Sequence, residues 1–227
     1  MTVTPPSVPG AHVGASGFSY PEWRGAFYPA DAKPPDFLRL YAERLPAVEL
    51  NATWYRLPSE AQLAAWAEAT PPGFRFAVKL SRQIVQFGRV DLAATFADRL
   101  AALGDRLGPV LVQLERPRDD GFLQLLRDSL PPELPLVFDF RDPSWDGVEV
   151  PVRVDELEAD APYRYLRLRE PPYDDDALAR EAARIAPLLA AGVDVYCFLN
   201  RGDAPDHSPG GEPTAATAER LLRLLGR

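Results

Sequence analysis

Leu136-Val137-Phe138-Asp139-Phe140-Arg141 reads as a short strand with two unlike faces. Side chains alternate across a strand, so Leu136, Phe138 and Phe140 share one face and Val137, Asp139 and Arg141 the other. The second face turns polar only toward the C-terminal end. The gradient recurs along the chain. Ala47, Glu49 and Asn51 oppose Val48 and Leu50; Arg75, Ala77 and Lys79 oppose Phe74, Phe76, Val78 and Leu80. Leu111, Gln113 and Glu115 oppose Val110, Val112 and Leu114. Tyr163, Tyr165, Arg167 and Arg169 oppose Leu166 and Leu168, and Tyr196, Phe198 and Asn200 oppose Cys197 and Leu199. A buried, unpaired charge costs several kcal/mol. Polar residues at one end and on one parity of six strands therefore predict a shared polar mouth.

Eight strand candidates alternate with helical patterns: His12–Gly17, Ala47–Asn51, Phe74–Leu80, Pro109–Glu115, Leu136–Arg141, Val150–Val154, Tyr163–Arg169 and Val193–Asn200. Such alternation is the mark of parallel strands joined by crossover helices. Helices are predicted over Asp36–Leu45, from the capping box Ser59-Glu60-Ala61-Gln62 to Ala69, and through Leu92, Phe96, Leu100 and Leu103. Further helices span Phe122–Leu130, Asp174–Ala191 with a kink at Pro187, and Pro213–Leu225. The interval from Arg141 to Tyr163 is too short for a strand and two crossover helices, since a crossover needs a dozen or more residues. The expected architecture is an α/β, TIM-type (β/α) barrel, irregular because the crossover helix after the fifth strand is missing or reduced to a turn. Met1–Gly10 reads as a loose N-terminal arm, and residues 11–227 as a single barrel domain. Functional groups of such barrels gather at the strand C-termini.

Composition narrows the function classes. Of 227 residues, 46% are hydrophobic, enough for a sizeable core. No apolar run is long enough to span a bilayer, and the first residues lack a basic segment followed by an apolar one, so a cytoplasmic protein is expected. Heavy use of Ala, Arg, Pro and Leu fits a GC-rich bacterial genome. The net charge of −8 repels phosphate backbones and disfavours general nucleic-acid binding. A single cysteine, Cys197, excludes an intrachain disulfide and a Cys-rich metal site, and reads as a buried core thiol. His12 starts a strand at the end remote from the mouth, and His207 falls in a Gly- and Pro-rich loop, so no metal ligand set is signalled. Two carboxylates, Glu49 and Asp139, would suffice for Mg²⁺. No cofactor loop is present.

Local strings resemble the YecE-like family (domain of unknown function 72). They are Gly14-Ala15-Ser16-Gly17-Phe18-Ser19-Tyr20-Pro21-Glu22-Trp23, Phe27-Tyr28-Pro29, and Val48-Glu49-Leu50-Asn51-Ala52-Thr53-Trp54-Tyr55-Arg56. They continue with Lys79-Leu80-Ser81-Arg82, Gly108-Pro109-Val110-Leu111-Val112-Gln113-Leu114, Phe140-Arg141-Asp142-Pro143-Ser144-Trp145, Tyr165-Leu166-Arg167-Leu168 and Phe198-Leu199-Asn200. Coverage runs from about His12 to the end. The resemblance implies a TIM-type barrel with a pocket at its mouth, whose reaction is not established. It carries Trp23, Glu49, Asn51, Tyr55, Arg56, Lys79, Arg82, Gln113, Arg141, Trp145, Arg167 and Asn200 to that pocket. This chain departs from the pattern at Val85-Gln86, where the family has Thr-His, at Arg169-Glu170, where it has His-Gly, and at Asp139, usually Glu. Both histidines suited to proton transfer near neutral pH are thus absent.

The site chemistry follows from residue type. Only Lys33 and Lys79 among 25 basic residues are lysines. A lysine at a barrel mouth can act as a base or form a Schiff base where burial lowers its pKa, or it can pair with Glu49 or Asp139. Glu49 and Asp139 form the best acid/base pair, or else anchor arginines. Arg56, Arg82, Arg141 and Arg167 suit a phosphate or carboxylate. Trp23, Tyr55 and Trp145 could stack on a sugar or base, or pack in loops. Three functions compete: an enzyme on a small anionic, phosphorylated or sugar-like substrate, with Glu49, Lys79 and Asp139 catalytic; a non-catalytic ligand-binding barrel; and, least favoured, a nucleic-acid-associated protein. Oligomeric state is not signalled.

Overall fold

The computed structural model describes residues 8–169, 173–200 and 212–226. Most of the expected N-terminal arm, Glu170 and the His207 loop lie outside these residues. Seven parallel strands alternate with helices: β1 (Ala11–Ala15), β2 (Ala47–Leu50), β3 (Arg75–Lys79), β4 (Leu107–Leu114), β5 (Leu136–Phe140), β6 (Tyr163–Leu168) and β7 (Asp194–Leu199). They form two parallel sheets, ordered β1-β7-β6 and β2-β3-β4-β5. This is a barrel-like α/β arrangement. The helices are α1 (Phe37–Ala42), α2 (Ala52–Tyr55), α3 (Glu60–Glu68), α4 (Arg82–Val85), α5 (Ala93–Leu100), α6 (Asp120–Asp128), α7 (Asp175–Ala190) and α8 (Thr214–Leu225).

Local chemistry explains the helix starts. The Ser59 hydroxyl accepts the Gln62 N–H at 3.1 Å, as the capping box predicts. Asp119 caps α6 through the Phe122 N–H (2.9 Å), and Asp174 caps α7 through the Ala177 N–H (2.8 Å). In α5, Ala93, Phe96, Ala97 and Leu100 make one buried stripe at helical spacing.

Strand alternation divides the core in two. One parity joins the large cluster under the helices, including Val48, Phe76, Val78, Val110, Val112, Phe138, Leu166 and Cys197. The opposite parity makes a second, smaller cluster of Ala47, Ala77, Leu111, Val137, Tyr163, Tyr165, Tyr196 and Phe198. Strands buried on both faces need near-continuous apolar runs, which is why β4 is buried throughout except at Leu107.

The two sheets meet along two seams. At the first, β1 and β2 share a single bridge, Ser16 to Glu49. The Tyr41 hydroxyl fills the gap, accepting the Ala15 N–H and donating to the Ala47 carbonyl, both at 2.8 Å. A Cβ on Gly14 would lie 2.0 Å from the Ala47 oxygen, so the backbones approach this closely only with glycine there. At the second, Val150–Val154 is not the strand the sequence predicts. It contributes one bridge, Arg153 to Phe138, with Phe138 N–H donating to Val152 O (3.0 Å) and Val154 N–H to Phe138 O (2.9 Å). Pro151 lacks an N–H to extend the ladder. Asp155, at φ 66°, then turns the chain into the left-handed region. Its N–H reaches Tyr165 O at 2.9 Å and its carboxylate accepts the Arg167 N–H at 2.8 Å. Between β5 and β6 the only helical element is the 3-10 turn Pro143–Trp145.

Candidate functional site

The polar ends of β2, β4 and β5 meet at one buried guanidinium, carried by β6. Arg167, 4% exposed near the end of β6, points at the Glu49 carboxylate from β2 (Nη2–Oε1 2.9 Å) and at Asp139 from β5 (Nη1–Oδ2 3.0 Å). Its Nη1 also donates to the Gln113 side chain of β4 at 3.2 Å. Glu49, fully buried, accepts two further hydrogen bonds at 2.7 Å, from the Ser16 and Tyr165 hydroxyls. Burial alone would raise its carboxyl. The Arg167 charge and the three donors outweigh that and hold it below its ordinary value. Tyr165 is pushed the other way, first by burial and then by the Glu49 charge. Asp139 Oδ2 receives two more arginines at 3.1 Å, Arg141 Nε and Arg169 Nη2, and Arg169 also pairs with Asp155 at 3.0 Å.

Above this network lies a cavity of about 750 Å³, lined by Ser16, Tyr20, Asn51, Trp54, Tyr55, Lys79, Gln113, Glu115, Arg141, Arg167, Arg169 and Asn200. Lys79 ends β3 and is 9% exposed. Its carbonyl is held by the Thr53 hydroxyl at 2.6 Å, and its ammonium sits 4.1 Å from the Trp54 ring centroid. Among the described residues no carboxylate lies within 4 Å of Nζ, so the expected pairing with Glu49 or Asp139 is not made. Burial, reinforced by the Arg167 charge, lowers Lys79 to about 8, against the upward pull of Glu49, Glu115 and Asp139. The other three cavity cations, Arg141, Arg167 and Arg169, all have carboxylate partners. Glu115 accepts from the side chains of Gln113 and Gln86 (the latter at 3.0 Å) but has no cation within 4 Å among the described residues. The Asn51 side-chain oxygen, Oδ1, is buried without a hydrogen-bond partner among the described residues.

Of the sequence candidates, Asn51, Tyr55, Lys79, Gln113, Arg141, Arg167 and Asn200 line the cavity, and Glu49 and Asp139 lie beneath it. Arg82 stays outside the lining and stacks on Tyr55 at 5.1 Å. Arg56 is exposed beyond α2 and does not reach the cavity. Trp23 and Trp145 do not line it either. Trp23 is fully buried among Tyr20, Phe27, Tyr28 and Tyr41, and Trp145 stacks on Phe140 while its Nε1 donates to Arg116 O at 2.8 Å. Both indoles are loop-packing anchors. Sequence reasoning does not single out Ser16, Tyr20, Trp54 or Tyr165. The signal for Tyr165 is its parity, two residues before Arg167; Ser16 and Trp54 gain their places only from the β1–β2 seam and the turn of α2. His12, at the far end, stacks on Tyr196 at 4.4 Å. Burial lowers it to about 4 despite Asp194. Cys197 is a buried free thiol, pushed up by burial.

No group of three or more His, Cys, Asp or Glu converges as metal ligands among the described residues. Glu49 and Asp139 do converge, but on the Arg167 guanidinium, which stands where Mg²⁺ would need to be. No described helix is long and apolar enough to cross a membrane.

The profile of the family described as "Protein of unknown function DUF72" matches residues 12–226. The chain belongs to the DUF72 family. Two crystal structures of a DUF72 family protein from Enterococcus faecalis V583 are similar to it. One shares 19% identity over 84% of this chain and 93% of that one, with a TM-score of 0.69. The other shares 17% identity over 96% of each chain, with a TM-score of 0.75. At such identities they establish the fold alone. No curated protein matches the chain. Within this DUF72 chain, the two positions where the resemblance implies histidines both touch carboxylates of the site. Gln86 reaches Glu115, and Arg169 clamps Asp139 to Asp155.

Proposed function

We propose that the chain closes as a single TIM-type barrel and binds a small anionic molecule, phosphorylated or sugar-like, in the cavity at its mouth. Lys79 and Arg141 supply the anion contact. Asn51, Gln113 and Asn200 offer hydrogen bonds, and Trp54 and Tyr55 offer ring faces to a sugar-like body. One observation carries this reading: Lys79 is the cavity cation with no carboxylate within 4 Å among the described residues. An anion there would restore the charge balance that its three neighbours already have.

Turnover would use Lys79 as the proton-handling group, since about 8 is within reach of working pH. Glu49 and Asp139 suit the anchoring role better than proton transfer. Glu49 is saturated by three donors, and Asp139 Oδ2 by three guanidinium groups. That saturation also supports the second reading, a ligand-binding barrel without turnover. The net charge of −8 keeps a nucleic-acid partner last.

Thermal unfolding with glycerol 3-phosphate against glycerol tests the reading. At a hundredfold excess over Kd, a specific ligand stabilises by about 2.7 kcal/mol. For a chain of this size that is a rise of ~5–10 °C in Tm. Lys79→Met should abolish it. A rise of equal size in the variant, or the same rise with glycerol, defeats the proposal. A product screen with glycerol 3-phosphate separates enzyme from binder.

A further inference from the structure

Among the described residues the cavity holds a lysine, an acceptor without a donor and a carboxylate without a cation in contact, and each has a place in one chemistry. Lys79 is 9% exposed, lies with Nζ 4.1 Å from the Trp54 ring centroid, feels the cationic Arg167, and has no carboxylate within 4 Å among the described residues. Those conditions favour the neutral amine, which is the nucleophilic form. Asn51 Oδ1 is a buried acceptor with no donor among the described residues. Glu115 lines the same cavity and has no cation within 4 Å among the described residues.

We propose that Lys79 is a covalent nucleophile, whose Nζ condenses with the carbonyl group of a small aldehyde or ketone that also carries an anionic group. The proposal rests on the anionic-ligand reading and names the substrate class; with Lys79 neutral, the anionic group is met by Arg141 of the same cavity. The Nζ lone pair forms a bond to the carbonyl carbon, and the carbonyl π pair moves onto oxygen. That oxygen gains the proton that nitrogen loses, giving a carbinolamine. Its hydroxyl takes one more proton and leaves as water while the nitrogen lone pair forms C=N, leaving a protonated imine. Asn51 Oδ1 accepts the hydrogen bond of the transient hydroxyl. Glu115 takes and returns the proton. Hydrolysis runs the same steps backwards, so no oxidant or reductant is consumed.

The sequence provides its own control, because Lys33 is the other lysine and is exposed. The full chain is incubated with dihydroxyacetone phosphate and cyanoborohydride, a hydride donor that reduces an imine to a stable secondary amine. Peptide mass mapping then compares adducts at Lys79 and Lys33. The expected result is labelling of Lys79 at least tenfold faster than Lys33, slowed by glycerol 3-phosphate, which has the anion but no carbonyl. Equal labelling of both lysines, or none at Lys79, overturns the covalent role. A thermal shift with glycerol 3-phosphate but no Lys79 adduct leaves anion binding standing while the covalent role falls. Fast Lys79 labelling by neutral dihydroxyacetone, unaffected by glycerol 3-phosphate, keeps the nucleophile and removes the anionic reading.

Discussion

Replacing Lys79 by methionine should make the protein more stable at pH 7 while abolishing the anion binding proposed for its cavity. Methionine keeps most of the aliphatic stem and discards the charge. In the folded chain the ammonium is lowered from 10.5 to about 8, chiefly by burial. At about 1.4 kcal/mol per unit, holding that group protonated below pH 8 costs on the order of 3 kcal/mol. Loss of the contact with the Trp54 ring gives back about 1–2 kcal/mol. The net gain is roughly 1–2 kcal/mol, or ~2–8 °C in Tm. The pH dependence has a definite sign. Between about 8 and 10.5 the unfolded chain binds the proton and the folded chain does not, so parent stability rises with pH across that window. The penalty is complete below pH 8 and absent above 10.5. Urea unfolding of parent and variant at pH 7, 8.5 and 10 reads the difference directly, because other titrating groups are common to both. The variant's advantage should shrink steadily over those three points. A variant less stable than the parent at pH 7, with a difference that does not change up to pH 10, would refute the argument from desolvation.

Two further outcomes follow from the ion network. Arg167→Met leaves Glu49 with only two hydroxyl donors and should cost about 3–5 kcal/mol by urea unfolding. The double variant Glu49→Gln/Arg167→Met should cost less than the sum of the single changes, and strict additivity would show that the two side chains are not coupled. Glu49 lies below its ordinary value of 4.5, so its contribution is fully present above pH 4.5 and is lost as the pH falls through the lower folded value. The urea midpoint of the parent should therefore fall more steeply below pH 4.5 than that of Glu49→Gln, and parallel profiles would contradict this.

Much of this arrangement is legible in strand parity. Val137 and Asp139, or Ala77 and Lys79, differ by one step of two residues, so burial of the first sends the second toward the same interior. This is why the sequence alone places Glu49, Lys79, Gln113, Asp139, Arg141 and Arg167 together. The missing crossover after β5 was legible too, because chain length limits what can be threaded between Arg141 and Tyr163. Trp23 and Trp145 were misplaced because sequence position locates an indole near a strand end but says nothing of which way its ring turns. Val150–Val154 has the composition of a strand, yet Pro151 and the left-handed Asp155 confine it to one bridge.

The sequence by itself determined the strand order of polar and apolar faces, because alternation is a local property of the backbone. It also determined that charge would collect at the strand C-termini. Which charges pair was decided only by tertiary structure. Three arginines reach Asp139 and three donors reach Glu49, from residues up to 118 positions apart. Pairing depends on distances of a few ångströms across the interior, and those distances exist only after β2, β5 and β6 are brought to face one another. Lys79 is left over by that pairing, and no property of Lys79 in the chain foretells it.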